Sequence, residues 1–393
     1  NGGVIDNKMI RRLYKVLLLL FSVSCIQGQE RTSDEDTILE IMDWVRSKGG
    51  WINDKVEVRT IEGNLSGIFA TQDLVWGEVV AHIPWKLIFK VEEEKYHWCD
   101  AVENVREILV NKDPRNQTPY ERYLSQRSGR HIPHFWSNAS KDLLSDLMEG
   151  FHMNGFFKDP FDWWTDACQR PGDEWHVRAM MLLQTRGEGH DIDLLVPFGD
   201  LVNHRNGRYT NVEVSIEKKK PYQMRTTRAV KAGEELVSSY NQCLFCDHLY
   251  SNAKDPYSFQ VTPQLFEIYG FVEPIPQRWV VPEVRLMFDI NYDDEEEADE
   301  NELRVDFVVP PCWHALHFMR QRLAFLREFE EELENRADIS NEELDGLTSF
   351  HSALVDAFSL ALEFSVGEAS EQVWYMDKDD WYKENDSSDH SEL

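Results

Sequence analysis

The sequence predicts an α+β protein: a β-rich domain split by a helical insertion, followed by a mainly helical C-terminal domain. Three observations predict it. Residues 55–90 alternate apolar and polar positions between Gly and Pro breaks, and strand texture returns at Asp193–Pro197, Val212–Ile216 and Gln223–Ala229. Between these stretches, from Tyr96 to Arg186, apolar residues recur at helical spacing, as in Leu143, Leu144, Leu147 and Phe151 and in Val177, Met180 and Met181. From Trp313 to Val366 the helical period returns. The 393 residues, 42% of them apolar, suffice for two ordinary domains with full cores.

The elements follow in order. Residues 1–28 read as upstream residues and a leader, with Met9 as the start. Arg11, Arg12 and Lys15 precede the eleven nearly apolar residues Val16–Ile26, too short to span a bilayer but suited to a signal-peptide core, and Gly28 offers a small residue for cleavage. A buried N-terminal helix is the competing reading, weakened by the polar segment Gln29–Asp36. Residues 29–54 hold a helix: Ser33 is its N-cap, Ile38, Ile41, Met42 and Val45 form its apolar face, and Gly49-Gly50 stops it. The β-rich domain covers 55–275, with the helical insertion at about 95–188. Trp136, Trp163, Trp164 and Trp175 of the insertion read as core. In residues 276–376, Val284–Ile290 and Leu303–Val309 read as a hairpin whose loop is the acidic run Asp293–Asp299. Two helices follow, marked by Leu316, Leu323, Leu326, Phe329 and Leu333 and by Leu347, Phe350, Leu354, Phe358 and Leu362. Residues 377–393 form an acidic tail with too little apolar content to fold.

Charge and cysteine usage bound the function. The net charge of −30 disfavours phosphate-backbone partners, so no nucleic acid is expected, and the excess carboxylate reads as a hydrated surface. No Gly-x-Gly-x-x-Gly follows a strand, which disfavours a nucleotide-binding dehydrogenase. The C-terminal His390-Ser391-Glu392-Leu393 is a relative of the Lys/His-Asp-Glu-Leu retrieval signals. With the leader, it places the protein in the endoplasmic reticulum lumen or secretory pathway, with no stable membrane anchor after leader removal. Asn64, Asn116, Asn138 and Asn385 head possible glycosylation triplets. Outside the leader residue Cys25, five cysteines remain, an odd and sparse set that is no disulfide framework but allows one or two bridges in an oxidising compartment. Cys243-x-x-Cys246 is open to three readings: a local disulfide or free pair, a redox pair without the usual strand-then-helix context, or half of a zinc site. The His131/His134 and His314/His317 pairs lack partners at ligand spacing, so no metal is assigned.

One set of motifs carries chemistry. Leu195-Val-Pro-Phe-Gly-Asp200-Leu-Val-Asn203-His204 is followed by Gly233-Glu-Glu-Leu-Val-Ser-Ser-Tyr240-Asn241 and then by Ile268-Tyr-Gly-Phe271-Val; upstream stands Gly67-Ile-Phe-Ala70. In this order the pieces resemble the SET domain, the fold of S-adenosylmethionine-dependent protein methyltransferases. The likeness is closest to the subfamily of the RuBisCO large-subunit methyltransferase, whose SET core is split by a helical insertion and followed by a helical substrate-binding region. Motifs carry the resemblance over residues 55–275; beyond that it rests on layout.

The resemblance implies site residues. Asn203 and His204 bind S-adenosylmethionine, the Asn amide serving a methionine end that bears both an ammonium and a carboxylate. Asp200 fixes the turn that precedes them in a knot-like crossing. Gly67, Ile68 and Phe69 supply backbone contacts. Arg186 either pairs with the cofactor carboxylate or forms a structural salt bridge. Tyr240 is the catalytic tyrosine facing the sulfonium methyl, and Phe271 lines the site, whereas Tyr269 reads equally as wall or core. The implied activity is methyl transfer to a protein side-chain nitrogen, lysine first with histidine as another acceptor, on an unidentified protein substrate. A lysine with a reference pKa near ~10.4 must lose its proton first.

Three features depart from the family pattern. Leu65-Ser66-Gly67 keeps only the second glycine of the usual Gly-x-Gly, Asn241 follows Tyr240 where glycine is usual, and 29 positions separate Tyr240 from Tyr269, more than relatives place there. These departures, and the lumenal location, motivate the alternative of a catalytically inactive SET-fold binding module of the secretory pathway.

Overall fold

The computed structural model describes residues 33–61, 66–89, 98–111, 113–127, 132–151, 160–188, 194–217, 219–240, 261–292, 303–308 and 310–368. The leader, the acidic run, Cys243-x-x-Cys246, His131, Asn64, Leu65 and the C-terminal tail lie outside them.

Helix α1 (Ser33–Ser47) opens the described chain. Its buried face is Ile38, Ile41, Met42 and Val45, as the period required. Gly49, at φ +89°, takes the chain out of the helix, and Gly50 lies so close to Val45 that a Cβ would sit 2.5 Å from its Cγ1. Strands β1 (Trp51–Ile52), β2 (Val56–Thr60), β3 (Ser66–Ala70) and β4 (Val79–Ile83) follow.

The insertion supplies α2 (Trp98–Val110), α3 (Pro119–Gln126), α4 (Asn138–Leu147), α5 (Pro160–Cys168) and α6 (Glu174–Arg186). Its helix starts are chemically specified. Thr118 and Glu121 form a reciprocal capping box on α3, with Pro119 at the first helical position. Asp173 caps α6 and also pairs with Arg106 of α2, which holds the carboxyl far below the ordinary range. A Cys99–Cys168 disulfide ties α2 to α5 across 69 residues. It was one of the bridges the cysteine count allowed, while Cys312 is free and exposed.

The chain then returns to short strands: β5 (Gly187–Glu188), β6 (Leu194–Leu195), β7 (Asn203–His204), β8 (Val212–Ser215), β9 (Tyr222–Thr226) and β10 (Glu235–Ser238). Two four-stranded sheets result, β1-β4-β9-β8 and β2-β3-β10-β7. In the second, β3 runs antiparallel to β10, while β7 runs parallel to it, with Asn203 opposite Val237 and His204 opposite Ser238. The sheets, α1, α2, α3 and α6 share one core that includes Ile68, Met180, Phe198, Tyr222 and Leu236.

After α7 (Thr262–Tyr269) come β11 (Gln277–Val281), β12 (Leu286–Tyr292) and β13 (Leu303–Phe307), then α8 (Trp313–Glu334) and α9 (Asn341–Glu368). The expected hairpin is β12–β13, but β12 starts at Leu286 rather than Val284, because Pro282–Val284 form a helical turn and Arg285 is left-handed at φ 52°. Strand β11 was not expected; it adds a third strand beside β12. These elements share a second core, which also takes Trp136, Leu143, Leu144 and Leu147 from the insertion and Phe266 from α7. Trp136 and Trp164 are buried as expected, but in different cores. Gly346 of α9 touches the Trp136 ring so closely that a Cβ there would come within 2.7 Å. Among the described residues no helix is long and apolar enough to cross a membrane.

Closing a 69-residue loop removes entropy from the unfolded chain worth up to about 4 kcal/mol. Replacing both Cys99 and Cys168 by Ser is expected to lower unfolding stability by ~2–4 kcal/mol. Denaturant melts with and without reductant check this: the reductant effect on the wild type should vanish in the double variant.

Candidate active site

The site is built where β3, β7 and the end of β10 meet the Tyr269-Gly270-Phe271 turn. Gly270, left-handed at φ 75°, ends α7 and donates its N–H to Phe266 O. The chain therefore turns sharply between Tyr269 and Phe271, and both rings face Tyr240. Ring centroids lie 5.1 Å apart for Tyr240 and Tyr269, 6.5 Å for Tyr240 and Phe271, 5.2 Å for His204 and Tyr240, and 5.9 Å for His204 and Phe271. These spacings suit edge and tilted aromatic contacts.

A buried carboxylate organises this cluster. Glu273 Oε2 accepts from His204 Nε2 at 2.8 Å and from Asn206 Nδ2 at 2.5 Å, and its Oε1 accepts from Thr262 Oγ1 at 2.5 Å. The His204 and Glu273 side chains are 1% and 0% exposed. The tautomer follows from the other ring nitrogen: Tyr240 N–H can only donate, and it meets His204 Nδ1 at 2.9 Å, so Nδ1 accepts and Nε2 carries the hydrogen. One imidazole thus links the Tyr240 backbone to Glu273. The Tyr240 hydroxyl donates to Val202 O at 2.6 Å. Burial raises its pKa, Tyr269 and the nearby carboxylates adding to the rise and the Arg186 charge opposing it, so Tyr240 is a neutral phenol whose hydrogen is engaged.

The second part is the edge of β3. Asn203 Nδ2 donates to Ser66 O at 3.1 Å and to Glu235 Oε1 at 2.7 Å. Gly67 is needed for this approach: a Cβ there would sit 2.3 Å from Glu235 Oε1 and 3.1 Å from Asn203 Nδ2. Burial pushes the Glu235 carboxyl upward, opposed by the Asn203 hydrogen bond. Asn211 clamps β10 from the side, accepting from Val237 N at 2.8 Å and donating to Glu235 O at 2.7 Å.

The third part surrounds Asp200. Phe198, fully buried, adopts φ 73°, a sparsely populated backbone state for a side-chain-bearing residue, and the turn it makes aims Asp200 inward. Asp200 Oδ2 accepts from Tyr120 OH at 3.2 Å and from Arg186 Nη1 at 3.3 Å. Arg186 Nη1 also donates to Tyr123 OH at 3.1 Å. Arg186 is therefore in an ion pair within the protein. Burial pushes Asp200 up, and the Arg186 charge pulls it back. Glu188, two residues after Arg186, comes to the same cluster; its Oε1 accepts from Tyr222 OH at 3.3 Å. Burial pushes its carboxyl up to about 8, opposed by the Tyr222 hydrogen bond and reinforced by the Asp200 charge.

Tyr240, His204, Phe271 and Tyr269 thus meet directly; Asn203 meets Gly67 in the strand that also holds Ile68 and Phe69; Asp200 meets Arg186. Glu273, Glu235 and Glu188 were not anticipated. Their only sequence signal is a carboxylate close to a motif, which many surface residues share. A separate cleft of about 430 Å³ beside Glu149, Phe151 and Phe325 holds none of the site residues.

Residues 66–241 match the family model of the SET domain. The chain carries a SET domain. Its fold is shared with Rubisco LSMT bound to sinefungin and monomethyllysine, at TM-score 0.52 and 14% identity over 91% of this chain and 97% of that one. The SET domain of LSMT bound to MeLysine and AdoHcy aligns at TM-score 0.50 and 14% identity, over 90% and 96% of the two chains. No curated protein matches the sequence. The layout inferred beyond the motifs therefore belongs to this fold: a SET domain with a helical insertion and a helical C-terminal region.

Two outcomes are expected. Glu273→Ala strands three buried donors and should destabilise the SET domain by about 3 kcal/mol or more, read from denaturant unfolding; a loss within error would contradict the network. Glu188 titrates near 4.5 in the unfolded chain and about 8 in the fold. Between those values the folded protein holds a proton the unfolded chain has released, so this group makes stability fall as pH rises through the window. Glu188→Gln should flatten that fall in a pH series of unfolding curves.

Proposed function

We propose that this chain is an S-adenosylmethionine-dependent protein methyltransferase of the secretory pathway, acting on a lysine side chain of a protein substrate. The observation that carries the reading is the junction of the Asn203–Gly67 edge with the Tyr240 cage through one buried histidine. Cofactor binding and methyl acceptance need adjacent sites, and His204 joins the two.

The residues fit the cofactor. The Asn203 amide spends both hydrogens on Ser66 O and Glu235 Oε1, so its Oδ1, with the second Glu235 oxygen beside it, offers acceptors to the ammonium of an amino-acid end. Gly67 keeps the β3 backbone open to close approach. The bound cofactor would supply an electrophilic sulfonium methyl. Tyr240 keeps its hydrogen on Val202 O, so its lone pairs are the part available to the cage; they can accept a weak C–H hydrogen bond from an electron-poor methyl. Tyr269 and Phe271 exclude water and restrict the approach of the acceptor, and methyl transfer gains much of its rate from such alignment. The lumenal assignment is supported by the basic and apolar leader-like segment Arg11–Ile26 in the sequence and by the Cys99–Cys168 bridge, which an oxidising compartment maintains.

Calorimetric titration of the full chain with S-adenosylmethionine tests the reading. Micromolar binding is expected, lost in Asn203→Ala. Tyr240→Phe should retain binding and lower methyl transfer by about 10²-fold. A folded wild-type protein without cofactor binding would overturn the enzyme reading and favour the inactive SET-fold binding module.

A further inference from the structure

The chain carries a net charge of −30, yet three guanidinium groups converge on one tyrosine just after the His204 motif. Arg205 Cζ stands 4.3 Å from the centroid of the Tyr209 ring, and Arg208 Cζ stands 5.4 Å from it. Arg228 reaches the same residue from the loop after β9, donating from Nη2 to Tyr209 O at 3.5 Å. Like charges gathered this closely repel, and an aromatic face offsets only part of that cost. The carboxylates nearby are already committed. Glu234 Oε2 accepts from Arg228 Nη1 at 2.9 Å, and its Oε1 accepts from Lys231 N at 3.1 Å. The Lys231 ammonium is itself paired with Asp73. Glu235, on which the Arg205 charge acts, accepts from Asn203. On β13, beside the Tyr292 ring that meets Tyr209 edge-on, Arg304 and Asp306 pair with each other.

Two donors of this cluster are unspent. Arg205 Nε and Arg228 Nε are buried and have no hydrogen-bond partner among the described residues. The Nε edge is the one that carboxylates take elsewhere in this protein. Asp289 accepts from Arg278 Nε at 3.0 Å and from its Nη2 at 3.2 Å, and Asp173 is held by Nε and Nη2 of Arg106 in the same side-on way. In Arg205 and Arg228 the matching Nη2 groups each bond one backbone carbonyl, Ile275 O and Tyr209 O, and each carries a second hydrogen. Both residues are half-buried, so a turn of the side chain presents this edge at the surface. The patch is fixed to the candidate site. Arg205 N–H donates to Ser238 O at 3.0 Å, two residues before Tyr240, and Arg205 Nη2 donates to Ile275 O at 3.2 Å, two residues after Glu273. Thr210 Oγ1 closes the loop onto Arg205 O at 2.8 Å.

We infer that Arg205, Arg208 and Arg228 form a carboxylate-binding site on the loop that follows β7, and that its ligand is an acidic segment of a protein partner. A planar guanidinium fork matches a carboxylate with two hydrogen bonds, and Tyr209 gives the cluster a flat wall. A carboxylate that enters replaces an unmet donor by a charge-assisted pair and relieves the repulsion among the three cations. A long polyanion such as nucleic acid is repelled by a chain of net charge −30, whereas one or two Asp or Glu side chains add little charge beyond the patch itself. In the methyl-transfer reading the partner is the substrate, and its acceptor lysine is flanked by Asp or Glu. That substrate class rests on the methyl-transfer reading; the carboxylate site does not.

The probes are two peptides, acetyl-Gly-Glu-Glu-Gly-amide and acetyl-Gly-Gln-Gln-Gly-amide, titrated into the full chain without cofactor and followed by NMR. The Glu peptide should bind the wild type about tenfold more tightly than the Gln peptide, and added salt should narrow the difference. Arg208→Gln and Arg228→Gln together should remove that preference, and Arg228→Lys, which keeps the charge but loses the fork, should retain only part of it. Melting curves identify the variants that are folded. Equal binding of the two peptides by the wild type, no binding of the Glu peptide, or an undiminished preference in the folded double variant would each overturn the site. S-adenosylmethionine titrated separately keeps the two readings apart, since its failure to bind counts against methyl transfer alone. With an active enzyme, a lysine peptide flanked by Glu should show a lower KM than its Gln counterpart at similar kcat. Equal KM values would overturn the substrate class.

Discussion

The buried Glu273 carboxylate is the interaction on which the SET site depends. It gathers three donors from two separate stretches of chain: His204 at the end of β7 and Asn206 just after it, and Thr262 at the start of α7. Each donor alone is an ordinary hydrogen bond. Together, in a buried place, they fix the position of β7 relative to the α7 turn and orient the His204 ring. The ring then fixes the Tyr240 backbone through Nδ1. A two-residue strand has little cohesion of its own, and β7 holds its parallel register because its side chains are anchored on both sides.

The same economy of anchoring recurs around Asp200. A strained Phe198, a glycine that admits no Cβ, and an arginine shared between a tyrosine and a carboxylate place one acidic side chain in the interior. Local strain of this kind persists where the surrounding packing over-determines it, and here that packing is the first core. The two parts of the site therefore use opposite means. The Glu273 part is saturated with donors and rigid. The Asp200–Glu188 part leaves one oxygen of each carboxyl, Asp200 Oδ1 and Glu188 Oε2, without a hydrogen-bond partner among the described residues.

Much of this was legible in the sequence, for physical reasons. Strands β2, β8 and β9 alternate, and α1, α8 and α9 carry long apolar stripes, so local period identified them. The motif residues Gly67, Asn203, His204, Tyr240 and Phe271 came together because their types and order are specific to one fold. What was illegible is set by long-range contact. β5 and β7 are too short to show a period. β11, Gln277–Val281, is buried over most of its length and lacks alternation. Trp136 and α4 look like their neighbours in the insertion but pack in the second core, and nothing local distinguishes the two destinations. Glu273, Glu235 and Glu188 are three acidic residues among 71; only the fold separates them from the rest.

The most direct test is a crystal structure of the full chain with S-adenosylhomocysteine, the product form of the cofactor. The account predicts density between the Gly67–Phe69 edge and Asn203–His204, with the amino-acid end on Asn203 and Glu235, the sulfur facing the Tyr240 ring cage, and the His204–Glu273 contact unchanged. A folded protein that leaves this edge empty at saturating ligand, or binds the ligand elsewhere, would contradict it.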